Sequence, residues 1–495
     1  MKKLIGILLL LIIILAAILG IRSETVFEDT QLQVQQLEHN LPLDTDAAVN
    51  RFAKGIQFQT ISHDDPEKFN AQPFIDFRQH IKLSYPLVHQ IAQQKTFGEH
   101  SLLYYFPGTD KSLKPALLMG HMDVVPVDEA TLDKWQQPPF SGVVENGTIW
   151  GRGTIDDKVT VFALLESMEL LLQQNKPFKR GIYLAFGHDE ETGGSQGAVK
   201  IAEYLQQQGV EFEFVLDEGG AITEGIMPGI AQPVALVGVA EKGFVNLRLT
   251  VNSAGGHSSQ PPEHTALGIL SEAIVKVENA QFTPDLTFSK MTFNAVATYA
   301  PLSSRLPMAN LWLLEPVVSN AMVKSPSSAA SIRTTIAATM AKGSSKSNIL
   351  PSQASAVINF RILPGDTIES VKQHVISAID DERVMISDFM SINPSEVSPT
   401  DSFGFKLIEK HIRQLDNDVL VAPYLVIGGT DSRYYTGLSK NIYRFMMVRL
   451  NPKSLTRFHG INEQLPVEDY LNAIRFFHAM LQETAGVELS ENSNG

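Results

Sequence analysis

Short apolar segments that end in polar residues alternate with helical patterns through the first half of the chain, and this alternation constrains the fold more than any other feature. The apolar runs have the length of buried strands, and the segments between them repeat apolar residues at helical spacing. The predicted strands are residues 101–106, 115–119, 182–186 and 212–216, and the predicted helices are residues 159–172 and 197–208. This order predicts an α/β fold around a mainly parallel sheet, in which sites gather beyond the carboxyl ends of the strands.

The pattern changes near residue 241. Residues 244–251 and 354–362 alternate between apolar and polar side chains, which is typical of strands with one wet face. Helical spacing follows each strand, at residues 266–277 and 367–379. We therefore predict an inserted α+β domain with the ferredoxin-like order strand, helix, strand, strand, helix, strand, after which the α/β pattern returns.

The N-terminus carries an unbroken apolar stretch at residues 4–21, preceded by Lys2 and Lys3. Its 18 residues are close to the minimum that crosses a bilayer and exceed the usual apolar core of a signal peptide. Basic residues on the N-terminal side favour a cytoplasmic N-terminus. We predict a transmembrane helix that anchors the chain in a single pass, with the remainder on the extracytoplasmic side, in a periplasm, a lumen or outside the cell. The alternative is a cleaved signal and a secreted protein.

Composition limits the chemistry that the chain can perform. There is no cysteine, which excludes disulfides, thiolate zinc sites and a cysteine nucleophile. Any metal ligand must therefore come from His, Asp or Glu. The formal net charge is −14 and no run of Lys or Arg offers a surface for phosphates, so we expect no nucleic acid partner.

Four polar clusters follow predicted strands or open a predicted helix, and a lone histidine lies far downstream at residue 459. The clusters are GHMD at residues 120–123, GRGTIDDK at 151–158, HDEETGG at 188–194 and DEGG at 217–220. Each alone also fits a simpler interpretation as a surface histidine, a helix N-cap, a solvated loop or a turn. Adjacent carboxylates, however, repel one another unless cations offset their charge. Together the clusters supply the imidazoles and carboxylates that bind zinc in the absence of thiolates.

In this order the clusters resemble the M20 metallopeptidase family of carboxypeptidases, aminoacylases and related amidohydrolases. Residues 135–158 and 186–194 look most like its carboxypeptidase S branch, which includes secreted N-acyl-amino-acid hydrolases and synthases. The similarity covers about residues 50–490. It implies a zinc-hydrolase (phosphorylase/hydrolase-like) catalytic domain, an inserted domain that acts as a lid, and two Zn²⁺ ions per active site.

The resemblance also implies the metal ligands, residue by residue. His121, Asp156 and Asp217 would hold one zinc ion. Asp156, Glu191 and His459 would hold the other, with Asp156 bridging the two. In the family the bridging aspartate often precedes a cis peptide bond, which would here join Asp156 to residue 157.

Three further residues take catalytic roles in the same way. Glu190 would be the general base that takes a proton from water, and Asp123 would orient His121 from behind. The segment GGHSS at residues 255–259 matches the histidine motif of the family's lid, so His257 would stabilise the oxyanion on closure.

Substrate-binding residues follow from two other motifs. The segment NFRILPGD at residues 359–366 matches a lid motif and makes Arg361 a candidate for binding the substrate carboxylate, since a guanidinium can bind one with two hydrogen bonds. The segment GGTD at residues 428–431 resembles the substrate loop, with Gly429 and Thr430 as candidates. In dimeric relatives the lid histidine enters the partner's site, which leaves a homodimer formed through the lid as a possibility.

The sequence thus predicts a membrane-tethered di-zinc metallohydrolase that cleaves an amide or peptide bond next to a free carboxylate. Its substrate is a small molecule or short peptide, either an N-fatty-acyl amino acid or a peptide cleaved as by a carboxypeptidase. Two other functions remain as alternatives. Ser195 in the G-x-S-x-G pattern at residues 193–197 would fit a serine hydrolase, although acids intervene between the strand and the serine. A non-catalytic metal-binding protein is the other.

The length of 495 residues exceeds one ordinary domain. The predicted organisation is an N-terminal anchor or signal at residues 1–21, a stalk at 22–45, the first part of the catalytic domain at 46–240, the inserted lid domain at 241–390 and the second part of the catalytic domain at 391–495.

Overall fold

The computed structural model describes residues 1–36 and 41–487. Residues 37–40 of the predicted stalk and residues 488–495 of the second catalytic segment lie outside the described part. The α-helices are α1 (Lys2–Thr25), α2 (Thr45–Ile56), α3 (Ala71–Ser84), α4 (Pro86–Ile91), α5 (Lys158–Gln173), α6 (Ala198–Gln207), α7 (Ala266–Asn279), α8 (Thr287–Val296), α9 (Leu302–Ala309), α10 (Leu311–Met322), α11 (Pro326–Ile332), α12 (Ile368–Ile379), α13 (Phe403–Leu415), α14 (Pro452–Leu455) and α15 (Val467–Ala485).

Three extended sheets and a two-stranded ribbon are built from the strands. These are β1 (Gln93–Phe97), β2 (Ser101–Phe106), β3 (Ala116–His121), β4 (Val144–Glu145), β5 (Thr148–Trp150), β6 (Ile182–Gly187), β7 (Val215–Asp217), β8 (Ile222–Thr223), β9 (Val234–Glu241), β10 (Gly243–Asn252), β11 (Gly256–His257), β12 (Thr335–Lys342), β13 (Ile349–Leu350), β14 (Gln353–Ile362), β15 (Val384–Ile392), β16 (Leu420–Val426), β17 (Ile442–Arg444), β18 (Arg449–Leu450) and β19 (Gln464–Pro466).

The main sheet is mixed and mostly parallel, and it confirms the predicted α/β fold. Its strands follow the order β1-β2-β6-β3-β7-β17-β9-β8-β18, with β16 paired to β9. The central strands β6, β3, β7 and β17 run parallel. All six residues of β3 are buried, as expected for a parallel strand that is covered on both faces.

Helix α5 forms the centre of the main core. Every residue from Lys158 to Leu171 is buried, including the charged Glu166 and Glu169, so the helix is enclosed by its neighbours on all sides. It packs on β3 and against α15, α4 and α2. Phe162 of α5 contacts Phe52 and Phe77 at ring-centroid distances of 5.5 and 5.7 Å, so the first helices of the body are fixed to the face of the sheet.

A second, four-stranded sheet lies in the region predicted to be inserted. Its order is β12-β14-β10-β15, with antiparallel pairing throughout. Helices α7 and α12 pack on its buried face and on each other. The chain order β10, α7, β12, β14, α12, β15 therefore has the predicted ferredoxin-like arrangement, but helices α8 to α11 intervene between α7 and β12 and were not predicted. Helix α8 packs on β16 of the main sheet.

The segment that follows the N-terminal helix contacts the body within the described residues 26–36. Helix α1 is long and apolar enough to cross a membrane, and none of its apolar window is buried against the rest of the chain. After it, Gln31 is 4% exposed, and its side-chain amide donates to the carbonyls of Ala295 and Val421 at 2.9 and 3.0 Å. Because both donors of this amide bond to the body, the segment that follows α1 is docked on the main sheet.

Candidate metal centre

The strand order of the main sheet brings the polar clusters to one edge. Strand β3 lies between β6 and β7 and is parallel to both. It ends at His121, while β6 ends at Gly187 just before Glu190 and Glu191, and β7 ends at Asp217. The carboxyl ends of parallel neighbours meet at the same edge, so three of the four clusters converge there.

Two groups of potential ligands share the carboxylate of Asp156. His121 Nε2 lies 3.0 Å from Asp156 Oδ1, and His459 Nε2 lies 3.0 Å from Asp156 Oδ2 and 3.3 Å from Glu191 Oε2. In the triads His121–Asp156–Glu218 and Asp156–Glu191–His459, the ligand atoms lie within 4.8 Å of one another. One aspartate thus presents its two oxygens to two imidazoles on opposite sides.

These residues fit a metal site by their chemistry as well as by their spacing. Oε1 of Glu191 is buried without a hydrogen-bond partner, although buried polar atoms are generally paired. Hydrogen bonds to Asp156 and Glu191 raise the pKa of His459 to about 10, which reflects a strong local preference for positive charge. Imidazole nitrogens and carboxylate oxygens are the donors that zinc uses in the absence of thiolates.

Asp123 connects His121 to the loop that carries Glu190 and Glu191. It is fully buried, and its carboxylate lies 3.4 Å from His121 Nδ1. The same carboxylate accepts hydrogen bonds from the backbone N–H groups of Glu190 and Glu191, at 3.2 and 3.1 Å, and from Ser62 Oγ at 2.7 Å. A carboxylate behind a ligating histidine fixes the orientation of its ring. In the structure Asp123 therefore lies behind the His121 ring and beside the loop of Glu190 and Glu191.

The sequence predicted Asp217 as a ligand, whereas in the structure Glu218 is the acid that groups with His121 and Asp156 in the first triad. Asp217 instead accepts a hydrogen bond from Ser432 N at 2.8 Å. Successive side chains at the end of a strand point to opposite sides, so only one of these adjacent acids can face the pocket. The DEGG cluster contained both candidates, and its spacing alone did not distinguish them.

A buried ion pair that the sequence did not reveal supports the Asp156 loop. Glu463 is fully buried and lies 2.5 Å from Arg152 Nη1. Its other oxygen accepts the backbone N–H groups of Gly153 and Ile155, both at 2.9 Å. The guanidinium also donates to the carbonyl of Gly460 at 3.0 Å, so the pair connects the bridging aspartate to the loop that carries the second histidine.

The backbone of this loop matches a further expectation. The peptide bond between Asp156 and Asp157 is cis, as the resemblance implied. Asp157 is fully buried and accepts a hydrogen bond from Thr160 Oγ1 at 2.5 Å. Its carboxylate also accepts the backbone N–H of His121 at 3.4 Å, so Asp157 connects the Asp156 loop to the end of β3.

Glu190 faces Arg433, which was not among the residues predicted from the sequence. Its carboxylate lies 3.6 Å from Arg433 Nη2, and both side chains are largely shielded from solvent. Burial, reinforced by the nearby carboxylates of Asp431 and Glu191, raises the pKa of Glu190 well above its ordinary value. Arg433 follows the GGTD segment by two residues, so extending that motif to GGTDSR would have included it.

The predicted substrate-binding residues lie in different environments. Arg361 is exposed, with its guanidinium 5.7 Å from the ring of Phe244. Partial desolvation and, second, the positive charge of Arg433 lower its pKa. The N–H of Thr430 donates to Glu241 at 2.5 Å, and Gly429 packs closely against the Arg433 guanidinium. The Thr430 amide is therefore engaged within the protein.

Two other predicted residues lie in exposed positions. His257 is exposed on the two-stranded ribbon, and its Nδ1 lies 2.8 Å from Ser259 Oγ. Ser195 is also exposed, with its Oγ 3.5 Å from Gln196 Nε2. Among the described residues neither hydrogen-bonds to the ligand groups, and Ser195 has no histidine partner of the kind that activates a serine nucleophile.

Comparison with known proteins gives consistent matches. The profile of Peptidase family M20/M25/M40 matches residues 117–483. The chain is 42% identical over 439 residues to "Probable carboxypeptidase S-like 2" of Dictyostelium discoideum, covering 88% of this chain and 84% of the relative. It is 38% identical over 486 residues to "N-fatty-acyl-amino acid synthase/hydrolase PM20D1" of Xenopus tropicalis, covering 96% and 93%. The fold is similar to that of the M20 family metallo-carboxypeptidase Sso-CP2 from Sulfolobus solfataricus, with a TM-score of 0.66, 17% identity and coverage of 89% and 99%.

Proposed function

Because this chain belongs to peptidase family M20/M25/M40 and is a metallohydrolase acting on amide or peptide bonds, we propose that it cleaves such bonds next to a free carboxylate with two zinc ions. The observation that carries this proposal is the pair of ligand triads that share Asp156. One carboxylate between two groups of ligands is the arrangement that two-metal hydrolases use.

The proposed ligands follow the geometry of the site. His121, Asp156 and Glu218 hold one zinc ion, and Asp156, Glu191 and His459 hold the other. When bound, the ions lower the pKa of water toward neutrality and polarise the carbonyl of the scissile bond. Asp123 keeps the His121 ring in the orientation that ligation needs, while the two backbone hydrogen bonds that it accepts hold Glu190 and Glu191 at the edge of the pocket.

Glu190 acts as the general base in this proposal. Its raised pKa suits a group that takes a proton from the attacking water and then donates it to the leaving nitrogen. Arg433, 3.6 Å away, limits how far that pKa rises, because its positive charge favours the carboxylate. Glu190 therefore acts first as the base and then as the acid, and the charge of Arg433 tunes the pKa on which both roles depend.

Recognition of the free carboxylate is assigned to arginine. Arg433 lies beside the base and Arg361 lies near enough to Arg433 to respond to its charge. A guanidinium binds a carboxylate with two parallel hydrogen bonds. We assign Arg433 the inner position and Arg361 the outer one, with Gly429 shaping the loop beneath Arg433.

The second sheet and its helices are proposed to act as a lid. His257 is exposed on a short ribbon outside the ligand groups, so it would reach an oxyanion only after the lid closes or from the lid of a second copy. Such a donor would stabilise charge that develops only in the transition state. Because His257 lies outside the ligand groups, we assign the present structure to the open state of the lid.

We propose N-fatty-acyl amino acids as the substrate class. The relatives named N-fatty-acyl-amino acid synthase/hydrolase match up to 96% of the chain, and α1 has the length and composition of a membrane anchor. An anchored enzyme on the extracytoplasmic side would meet such amphiphiles at the bilayer. Short peptides are the competing class, since other relatives are carboxypeptidase S-like.

The test compares an N-fatty-acyl amino acid with a dipeptide that has the same C-terminal residue, using the full chain in detergent. We expect hydrolysis to be abolished by a chelator and restored by zinc. Glu190→Gln should reduce kcat by about 10²–10⁴-fold with bound zinc unchanged. Ser195→Ala is the control and should retain full activity. Activity that persists after chelation, or that Ser195→Ala removes, would contradict the proposal, and a preference for the dipeptide would reject the proposed substrate class.

A further inference from the structure

Helix α10 presents an apolar surface that the described part of the chain leaves uncovered. Its sequence, LWLLEPVVSNAM, contains no buried residue. Trp312 and Val317 are 61% and 63% exposed, and Leu313 is 41% exposed. The single ionisable residue of the helix, Glu315, forms an ion pair with Lys290 of α8 at 3.2 Å. Trp312, Leu313 and Val317 therefore form an uncharged exposed surface beside this partly exposed ion pair, which is unusual for a helix in water.

This surface lies beside the exit of the apolar N-terminal helix. The side-chain amide of Asn310, the residue just before α10, donates to the carbonyl of Leu19 at 3.1 Å. Arg22 donates to the carbonyl of Ala309 at 3.3 Å, and Glu24 pairs with Arg305 of α9 at 2.6 Å. Three contacts therefore fix the last turns of α1 to the junction of α9 and α10.

The contacts also determine the depth of α10 relative to a bilayer that α1 crosses. The apolar stretch of α1 ends at Ile21. Leu19 lies two residues before that end, or about 3 Å along a helix that rises about 1.5 Å per residue. Asn310 is thus held at the boundary between hydrocarbon and headgroups. Trp312 follows two residues later, and tryptophan is enriched at this boundary.

The body cannot rotate freely about the anchor. Gln31 bonds to the carbonyls of Ala295 and Val421 and accepts the N–H of Val421 at 2.7 Å. Because the segment after α1 is docked on α8 and β16, α1 and the body hold one relative orientation. That orientation presents the same side of the body, the side of α9 and α10, to the membrane.

We propose that α10 is a second membrane contact, which lies in the bilayer interface with Trp312, Leu313 and Val317 among the lipids. This proposal rests on the membrane anchoring assigned to α1 under the proposed function. A helix that buries its apolar surface at this boundary gains hydrophobic stabilisation in proportion to the area covered. The consequence for function is that the enzyme works at a fixed orientation on the bilayer, where amphiphilic N-acyl amino acids reside.

The absence of cysteine makes the test direct, since a single introduced cysteine is the only labelling site. The full chain is reconstituted into phosphatidylcholine vesicles as Trp312→Cys and Val317→Cys, each labelled with an environment-sensitive fluorophore. Quenching is measured with lipids that carry a spin label at shallow or deep positions. Ile12→Cys in α1 is the positive control. Leu83→Cys in α3 is the negative control, because it is 73% exposed and α3 lies beside β1, at the opposite edge of the main sheet from β16.

We expect the labels at residues 312 and 317 to be quenched at least three-fold more by shallow than by deep lipid, the label at residue 12 to be quenched by deep lipid, and the label at residue 83 to be unaffected. Quenching at residue 12 with none at residues 312 and 317 would overturn the proposal, as would equal quenching at residues 83 and 312. A second copy covering α10 would give the first of these results. Hydrolysis measured on the same vesicles reports the proposed function separately, because the quenching does not depend on catalysis.

Discussion

Replacing Glu463 by glutamine tests whether one buried ion pair supports the metal site. Glu463 is fully buried and Arg152 is 3% exposed, and their charged atoms lie 2.5 Å apart. The substitution preserves the size of the side chain but removes its charge. Arg152 would then be a buried cation without its partner, and the N–H groups of Gly153 and Ile155 would lose a charged acceptor.

The magnitude follows from the burial of both partners. Removing one member of a buried pair costs about 3–5 kcal/mol, because the other charge stays desolvated. With a urea dependence of about 3 kcal/mol per M, the unfolding midpoint should fall by about 1–2 M. Since the pair also joins the loops of Asp156 and His459, we expect zinc affinity to fall by about 10–100-fold. The assays are urea unfolding of the zinc-free chain in detergent and competition for zinc with a chelator.

The chain offers a matched control in Glu468→Gln. Glu468 pairs with Arg475 at 2.6 Å, but its side chain is 65% exposed, and exposed pairs contribute about 0–1 kcal/mol. A second variant replaces both Arg152 and Glu463 by methionine; it should recover stability relative to Glu463→Gln but not zinc affinity. If Glu463→Gln and Glu468→Gln shifted the midpoint equally and left zinc binding unchanged, the reasoning from burial would be refuted.

Three further outcomes are expected. Burial raises the pKa of Asp469 to about 6, so the folded state binds the proton of this carboxyl group more tightly than the unfolded state does. The stability that Asp469 contributes is therefore fully present below about pH 4 and is lost as the pH rises through about 6. Asp469→Asn should therefore gain about 3 kcal/mol relative to the wild type between pH 4 and pH 7, measured by urea unfolding across that range. Gly142 has φ +59°, and a Cβ there would lie 2.0 Å from the carbonyl oxygen of Ala53, whereas Gly147, with φ +73°, has open space. Both alanine variants carry about 1 kcal/mol of backbone strain, but Gly142→Ala should lose at least about 2 kcal/mol more in thermal unfolding. Arg433→Lys should lower kcat/KM by about 10–100-fold, mainly through KM, since a lysine cannot bind a carboxylate with two hydrogen bonds; equal kinetics would remove Arg433 from substrate binding.

Sequence patterns predicted many of the strands and helices, because an element with one buried face repeats its apolar residues at a regular spacing. The strand at residues 101–106 has the predicted bounds, and the helix predicted at 159–172 extends one residue further at each end. Three of the four clusters were predicted to follow strands, at the edge of the sheet where parallel neighbours converge. This inference placed His121 and Glu191 at the same edge of the sheet without any knowledge of distances.

The sequence pattern could not predict which of two adjacent side chains at the end of a strand faces the site. Asp217 and Glu218 are adjacent, and the end of β7 decides which of them faces His121. The choice depends on the partner of the other residue, here the N–H of Ser432, which is 215 residues away in sequence. Helices α8 to α11 were also missed. Among them α10 has no buried residue, so its apolar residues do not follow the face of a core within the protein.

The second triad joins residues that are far apart in the sequence. Asp156 and His459 are separated by 303 residues, and the second sheet is built entirely from residues between them. The Arg152–Glu463 pair spans a similar distance and joins the loops on either side. These contacts are non-local, so they form only after the long intervening segments have been closed into loops. Removal of zinc should therefore loosen the region around His459 first, because its side chain is 56% exposed and is tethered to the site only through Asp156 and Glu191, while β3 and β6 keep His121 in place. Hydrogen exchange on the zinc-free chain would show this as faster exchange at residues 456–462 than at residues 116–121, and equal exchange in both segments would contradict it.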